Sequence, residues 1–174
     1  IKELKTFYPP MKKIKKNQNK FKFLINKINQ SKKPVLILGG GIKYARAEDK
    51  LKIFLKKYNI PIVSTWSGVD LIDHSNNNYI GNIGVYGSRA ANFTVQNSDL
   101  ILSLGSRLDT RITGGVPKNF ARNARKIVVD IDKNELSKER GLKIEHKINL
   151  NVKYFLNTIN KINYKKISKP DWVK

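Results

Sequence analysis

The chain contains no cysteine, one methionine and two histidines, His74 and His146, in 174 residues. Without cysteine there is no disulfide and no thiolate metal site, and two histidines cannot build a histidine-rich one. Acidic groups are scarce too: 13 Asp and Glu stand against 35 Lys and Arg, for a formal charge of +22. No run approaches the roughly 18 uninterrupted apolar residues of a membrane span, and the first residues lack the apolar block of a signal peptide. The expected location is the cytoplasm, with no membrane partner. There is no Ser/His/Asp or Cys/His set and no GxxxxGK[ST] phosphate loop, so nothing reads as self-sufficient for catalysis.

What is present is 40% hydrophobic content, enough to core one domain. The positive charge is the footprint expected of a nucleic-acid binder. Its distribution argues against that partner, because lysines are spread along the whole chain among many Asn and Ile, with no aromatic-interleaved stripe. A basic solvated surface is the simpler reading. The ends, IKELKTFYPP and ISKPDWVK, have linker character. Residues 1–19 and 163–174 are therefore expected as linkers around a folded unit at 20–162, one domain of a longer protein.

Apolar residues at helical spacing predict a helix over 20–30, from Phe21, Leu24, Ile25 and Ile28, and a second over 45–58, from Ala47, Leu51, Phe54 and Leu55. KPVLILGGG between them reads as a buried strand ended by three glycines. IPIVST, SDLILSLG and RKIVVDID read as further strands, residues 90–96 and 151–162 as helices, and 68–87 as loop with the turn cluster HSNNN. Strands alternating with helices predict an α/β, Rossmann-like domain with a parallel sheet covered on both faces.

Several motifs bear on chemistry. Gly39, Gly40 and Gly41 sit where a strand hands over to a helix, so backbone N–H groups there can approach a phosphate or sugar; a tight turn explains them equally well. A dinucleotide fingerprint needs a further glycine at 44, which is Tyr44, and this disfavours a stand-alone NAD-binding protein. GSRLDTRITG follows the third strand. If its backbone stays extended, Arg107, Asp109 and Arg111 share one side and could grip a diphosphate. Spacing alone leaves that reading beside a charged surface hairpin with a cross-paired Arg-Asp-Arg triplet. Thr65 and Ser67 end the second strand as candidate hydroxyls, and Asp130 and Asp132 end the fourth, placed for ribose hydroxyls or, for Asp132, for capping the next helix. Trp66 and Tyr86 could stack on an aromatic ring or simply pack.

The succession KPVLILGGGI, PIVSTWSG, GNIGVYGSRAAN, SDLILSLGSRLDTRITG and ARKIVVDIDKNEL resembles the central domain of thiamine diphosphate-dependent enzymes, most of all the large catalytic subunit of acetolactate synthase. The match runs from about Lys20 to Lys161. It implies a three-layer domain with a mostly parallel sheet of about six strands. The parent would decarboxylate a 2-oxo acid such as pyruvate and join the product to a second carbonyl, using thiamine diphosphate and Mg2+ held by two further domains. This domain alone would be inactive, support assembly, and hold FAD in a structural role.

Carried over by that match, Gly39, Gly40 and Gly41 would line the adenosine and ribityl region, with Thr65 near the flavin chain. Val85 and Tyr86 would lie by the isoalloxazine, where the family has Met-His. Gly105, Ser106, Arg107, Asp109 and Arg111 would contact the diphosphate and ribityl, and Asp130 and Ile131 the adenine end. Asn151 falls where the family has an aspartate. The resemblance also implies a homodimer or homotetramer and a regulatory subunit. A 2-oxo acid decarboxylase or another thiamine-dependent lyase, such as one for surface sugars, is the alternative in which this domain is a spacer.

Overall fold

The computed structural model describes residues 18–169 and 171–173. In chain order the elements are α1 (Gln18–Gln30), β1 (Pro34–Leu38), α2 (Gly41–Tyr44), α3 (Glu48–Lys57), β2 (Tyr58–Asn59), β3 (Ile62–Ser64), β4 (Tyr79–Asn82), α4 (Arg89–Gln96), β5 (Leu100–Leu104), α5 (Thr110–Thr113), β6 (Arg125–Asp130), α6 (Lys133–Ser137), β7 (His146–Asn149), α7 (Val152–Asn160) and β8 (Ile167–Ser168). Six strands form one parallel sheet in the order β4-β3-β1-β5-β6-β7. The fold is α/β, with helices on both faces.

The strand sequences dictate this layering. β1 and β5 are fully buried along their length, so each must be apolar on both faces. Alternate residues then serve opposite cores: Leu36, Leu38, Leu102 and Leu104 join one cluster, while Val35, Ile37 and Ile101 join the other. The first core is closed by α1, α3 and α7 through Phe21, Ile25, Phe54, Phe155 and Ile159, with the Phe21 and Phe155 rings 5.5 Å apart. The second is closed by α4, α6 and the turn around Phe120, through Ala91, Val95 and Leu136. Burial of these side chains, at about 25 cal/mol per Å² of apolar surface, is the main force assembling the layers.

Three features depart from the sequence pattern. The helix expected over 45–58 starts only at Glu48: Arg46 adopts a left-handed φ of 50°, which separates α3, with two acids in its first turn, from the short α2 before it. The stretch 68–87, expected as loop, contributes the edge strand β4 and a 3-10 turn at Trp66–Leu71. The other edge strand, β7, was not legible at all.

The linker expected over residues 1–19 lies outside the described residues, apart from Gln18 and Asn19 in α1. The segment from 163 onward, expected as the second linker, is docked where it is described. Ile167 is buried in the first core, β8 pairs with β2, and Trp172 Nε1 donates to the Pro34 carbonyl at 3.1 Å. Among the described residues no helix is long and apolar enough to cross a membrane.

Candidate functional site

In a parallel sheet the carboxyl ends of all strands share one edge, and ligands bind in the crevice beyond it. Here the turns leaving β1, β3, β5 and β6 border an open cleft of about 1010 Å³, at the upper end of the usual size for ligand sites. It gathers Gly40, Gly41, Thr65, Tyr86, Gly105, Ser106, Arg107, Asp109, Arg111, Asp130 and Ile131. Elements far apart in sequence thus converge on one site.

Two residues expected with them do not line it. Gly39 lies beneath the cleft, its N–H donating to the Leu104 carbonyl at 2.9 Å. A Cβ built on it would fall 2.2 Å from the Gly105 oxygen, so close backbone packing accounts for this glycine. Val85 points outward at 66% exposure, and its N–H donates to the Arg111 carbonyl at 2.8 Å.

The segment after β5 is neither extended nor a hairpin. Gly105 turns the chain at φ 61°, and Leu108 follows at φ 46° with its side chain buried in the second core. Asp109 then caps α5, its carboxylate accepting the Arg111 N–H at 3.0 Å. The expected alternation of Arg107, Asp109 and Arg111 along one strand face is therefore replaced by a bend and a helical turn. Both arginines still border the cleft, while the Asp109 carboxylate serves the cap rather than an Arg-Asp-Arg surface triplet.

Beside Arg107 lies an acidic edge. Asp132 caps α6 by accepting the Asn134 N–H at 2.8 Å, the structural role open to it from sequence. Asp130 accepts the Asp132 N–H at 2.8 Å. Burial pushes the Asp130 carboxyl above the usual carboxylate range; that hydrogen bond opposes the shift, the carboxylates of Asp132 and Glu135 reinforce it and Arg107 works against it. Glu135, largely enclosed, meets Arg107 Nε at 3.6 Å and Arg140 Nη2 at 2.6 Å. Among the described residues no set of three His, Cys, Asp or Glu side chains is placed to hold a metal ion.

At the other end, Thr65 Oγ1 lies 3.4 Å from the Leu38 carbonyl and 3.3 Å from Ser67 Oγ, so both expected hydroxyls reach the cleft and touch each other. Trp66 and Tyr86 meet edge to face at 5.8 Å on the rim, both well exposed. Two polar lining residues were not expected from sequence, Asn82 and Glu135. Asn82 closes an edge strand that the pattern concealed. Glu135 could have been noticed as one of few acids in a basic chain, with Lys138 and Arg140 close behind it.

Residues 21–159 match the family described as thiamine pyrophosphate enzyme, central domain. The chain is 37% identical over 151 residues to the acetolactate synthase large subunit of Lactococcus lactis subsp. lactis strain IL1403, covering 87% of this chain and 26% of that protein. It is 38% identical over 111 residues to the acetolactate synthase isozyme 2 large subunit of Escherichia coli K12, covering 64% and 20%. To the probable acetolactate synthase large subunit of Methanococcus aeolicus it is 35% identical over 114 residues, covering 66% and 19%. The chain thus spans about a fifth to a quarter of the length of these relatives.

Proposed function

We propose, because the chain belongs to the family of thiamine pyrophosphate enzyme central domains, that it works as the middle domain of an acetolactate synthase-like carboligase. The parent would decarboxylate a 2-oxo acid and join the product to a second carbonyl, with thiamine diphosphate and Mg2+ held elsewhere in the assembly and supplying the decarboxylation chemistry. Within this domain the cleft is the proposed seat of FAD. The carrying observation is the convergence of the β1 glycine turn, the Arg107 segment and the Asp130 edge at one end of the sheet.

The residues suit such a dinucleotide. Arg107 and Arg111 offer planar N–H donors for a diphosphate, and the lack of a side chain at Gly40, Gly41 and Gly105 admits a close backbone approach. Asp130 at the end of β6 is placed to accept ribose hydroxyls, and its burial makes an ionised carboxylate without a hydrogen-bond donor unfavourable there. Trp66 and Tyr86 offer apolar surface at the mouth. The flavin would be structural, with no net redox.

A second reading keeps the family and makes the domain a spacer in a decarboxylase or other thiamine-dependent lyase. It is favoured by Asn151, which stands where the resemblance has an aspartate and caps α7 by accepting the Lys153 N–H at 2.9 Å, away from the cleft lining. Incubating the full-length protein with pyruvate, thiamine diphosphate and Mg2+ separates the two. Acetolactate as product supports the carboligase; acetaldehyde without a carbon-carbon product supports the spacer reading. Assembly into dimers or tetramers, with a regulatory subunit, is part of the same proposal.

A further inference from the structure

We infer that Glu135, together with Arg140, is a positioning residue that sets Arg107 for a diphosphate, an inference that rests on the nucleotide reading of the cleft. Arg107 is held at two points. Glu135 Oε2 lies 3.6 Å from its Nε, and Arg140 Nη1 donates to its backbone carbonyl at 3.3 Å. The two holders are joined by the 2.6 Å contact between Arg140 Nη2 and Glu135 Oε2. The next residue, Leu108, turns left-handed and buries its side chain, which fixes the chain direction immediately after Arg107.

The Glu135 side chain is 9% exposed whereas that of Arg107 is 64% exposed, so a mostly enclosed carboxylate holds the inner end of a guanidinium whose outer part faces the cleft. An arginine carries five N–H donors. The 3.6 Å ion pair sets the Nε side toward Glu135 and leaves the terminal nitrogens, with four N–H donors, as the edge to grip a diphosphate bidentately. Lys138 also pairs with Glu135, and hydrogen bonds from Lys138 and Arg140 hold its carboxyl below the usual range against some desolvation. The pit behind Arg107, lined by Glu135 and Arg140, is about 20 Å³, room for about one water. A diphosphate therefore has to meet Arg107 from the open side.

The arrangement is not the only use of such a carboxylate. An acid facing an arginine can equally compete with the ligand for it, and the two roles predict opposite signs. Positioning means that loss of Glu135 weakens diphosphate binding; competition means that it strengthens it.

The test is calorimetric titration of the full-length protein, cleared of nucleotide, with ADP and with adenosine. Glu135→Gln is expected to weaken ADP about tenfold, the scale of one charge-assisted contact, and to leave adenosine within about twofold. Combined with Arg107→Met it should cost no more than Arg107→Met alone. If Glu135→Gln does not yield folded protein, Arg140→Gln, which releases the backbone carbonyl, is read in the same way. Equal loss for ADP and adenosine, unchanged ADP affinity, or tighter ADP binding each overturns the inference while leaving the cleft a nucleotide site. A wild-type protein that binds neither ADP nor FAD overturns the nucleotide reading and this inference with it.

Discussion

Gly39 and Gly105 meet backbone to backbone at the head of the sheet, where a Cβ on Gly39 would lie 2.2 Å from the Gly105 carbonyl oxygen. The contact clamps the turn after β1 to the turn after β5, and so brings the glycine turn and the Arg107 segment to one cleft. Gly39→Ala must push this backbone apart and is expected to cost about 1–3 kcal/mol, the scale of an overpacked core. Gly115, whose Cβ would meet nothing within 4 Å, is the control, and Gly115→Ala should stay within about 0.5 kcal/mol. Urea unfolding of both variants checks the pair.

Asp99 ties the floor of the domain. Its carboxylate accepts from the Ser31 hydroxyl and from the backbone N–H groups of Lys32 and Lys33 at 2.8 and 3.0 Å. Partial burial pushes its carboxyl up, but these hydrogen bonds outweigh that and hold it below the usual carboxylate range. A depressed folded pKa gives stability that is present above the unfolded value, about 3.9, and is lost as pH falls through the folded one. Asp99→Ala is expected to destabilise by about 1–3 kcal/mol at pH 7, with the gap from wild type closing under acid. Denaturant unfolding at a series of pH values reads this out.

Tyr58 shows the opposite sign. Burial, then the nearby Tyr164, pushes its phenol up to about 12, and its ring stacks on Phe54 at 4.2 Å. The neutral phenol contributes stability in full below the unfolded value, about 10, and loses it as pH rises toward 12. Tyr58→Phe should remove that part of the alkaline loss. Comparing thermal melts of the two proteins between pH 9 and pH 12 measures the difference.

The two edges of the sheet explain what the sequence pattern could and could not convey. β1 and β5 were legible because strands buried on both faces must be continuous apolar runs. β4 and β7 lie at the edges and are only half-buried, so they carry no such run. β4 also contains Gly81 at φ 130°, and β7 reads HKIN, with Ile148 its single apolar residue. The site was legible to the same degree. Residues on strand-end turns, such as Gly40, Thr65 and Arg107, could be placed by counting from a strand. Glu135 could not, because it reaches the cleft from inside α6 and depends on how that helix packs.

Asp130 separates stability from function. Its folded pKa is raised, chiefly by burial, so its contribution to stability is fully present below the unfolded value and lost as pH rises through the folded one. Above the unfolded value the raised pKa costs stability, and Asp130→Asn should raise the melting temperature at neutral pH while weakening adenosine binding. Melting curves and an adenosine titration on the same preparation test both halves.

Titration of the full-length protein with FAD, followed by flavin absorbance and repeated on an Arg107→Met, Arg111→Met double variant, decides whether the cleft is a diphosphate site. Wild type should take up about one flavin per chain, with affinity falling at least about tenfold in the variant on loss of the charge-assisted contacts. A wild-type protein that stays colourless with excess FAD, or a variant that binds FAD as tightly as wild type, would contradict the assignment.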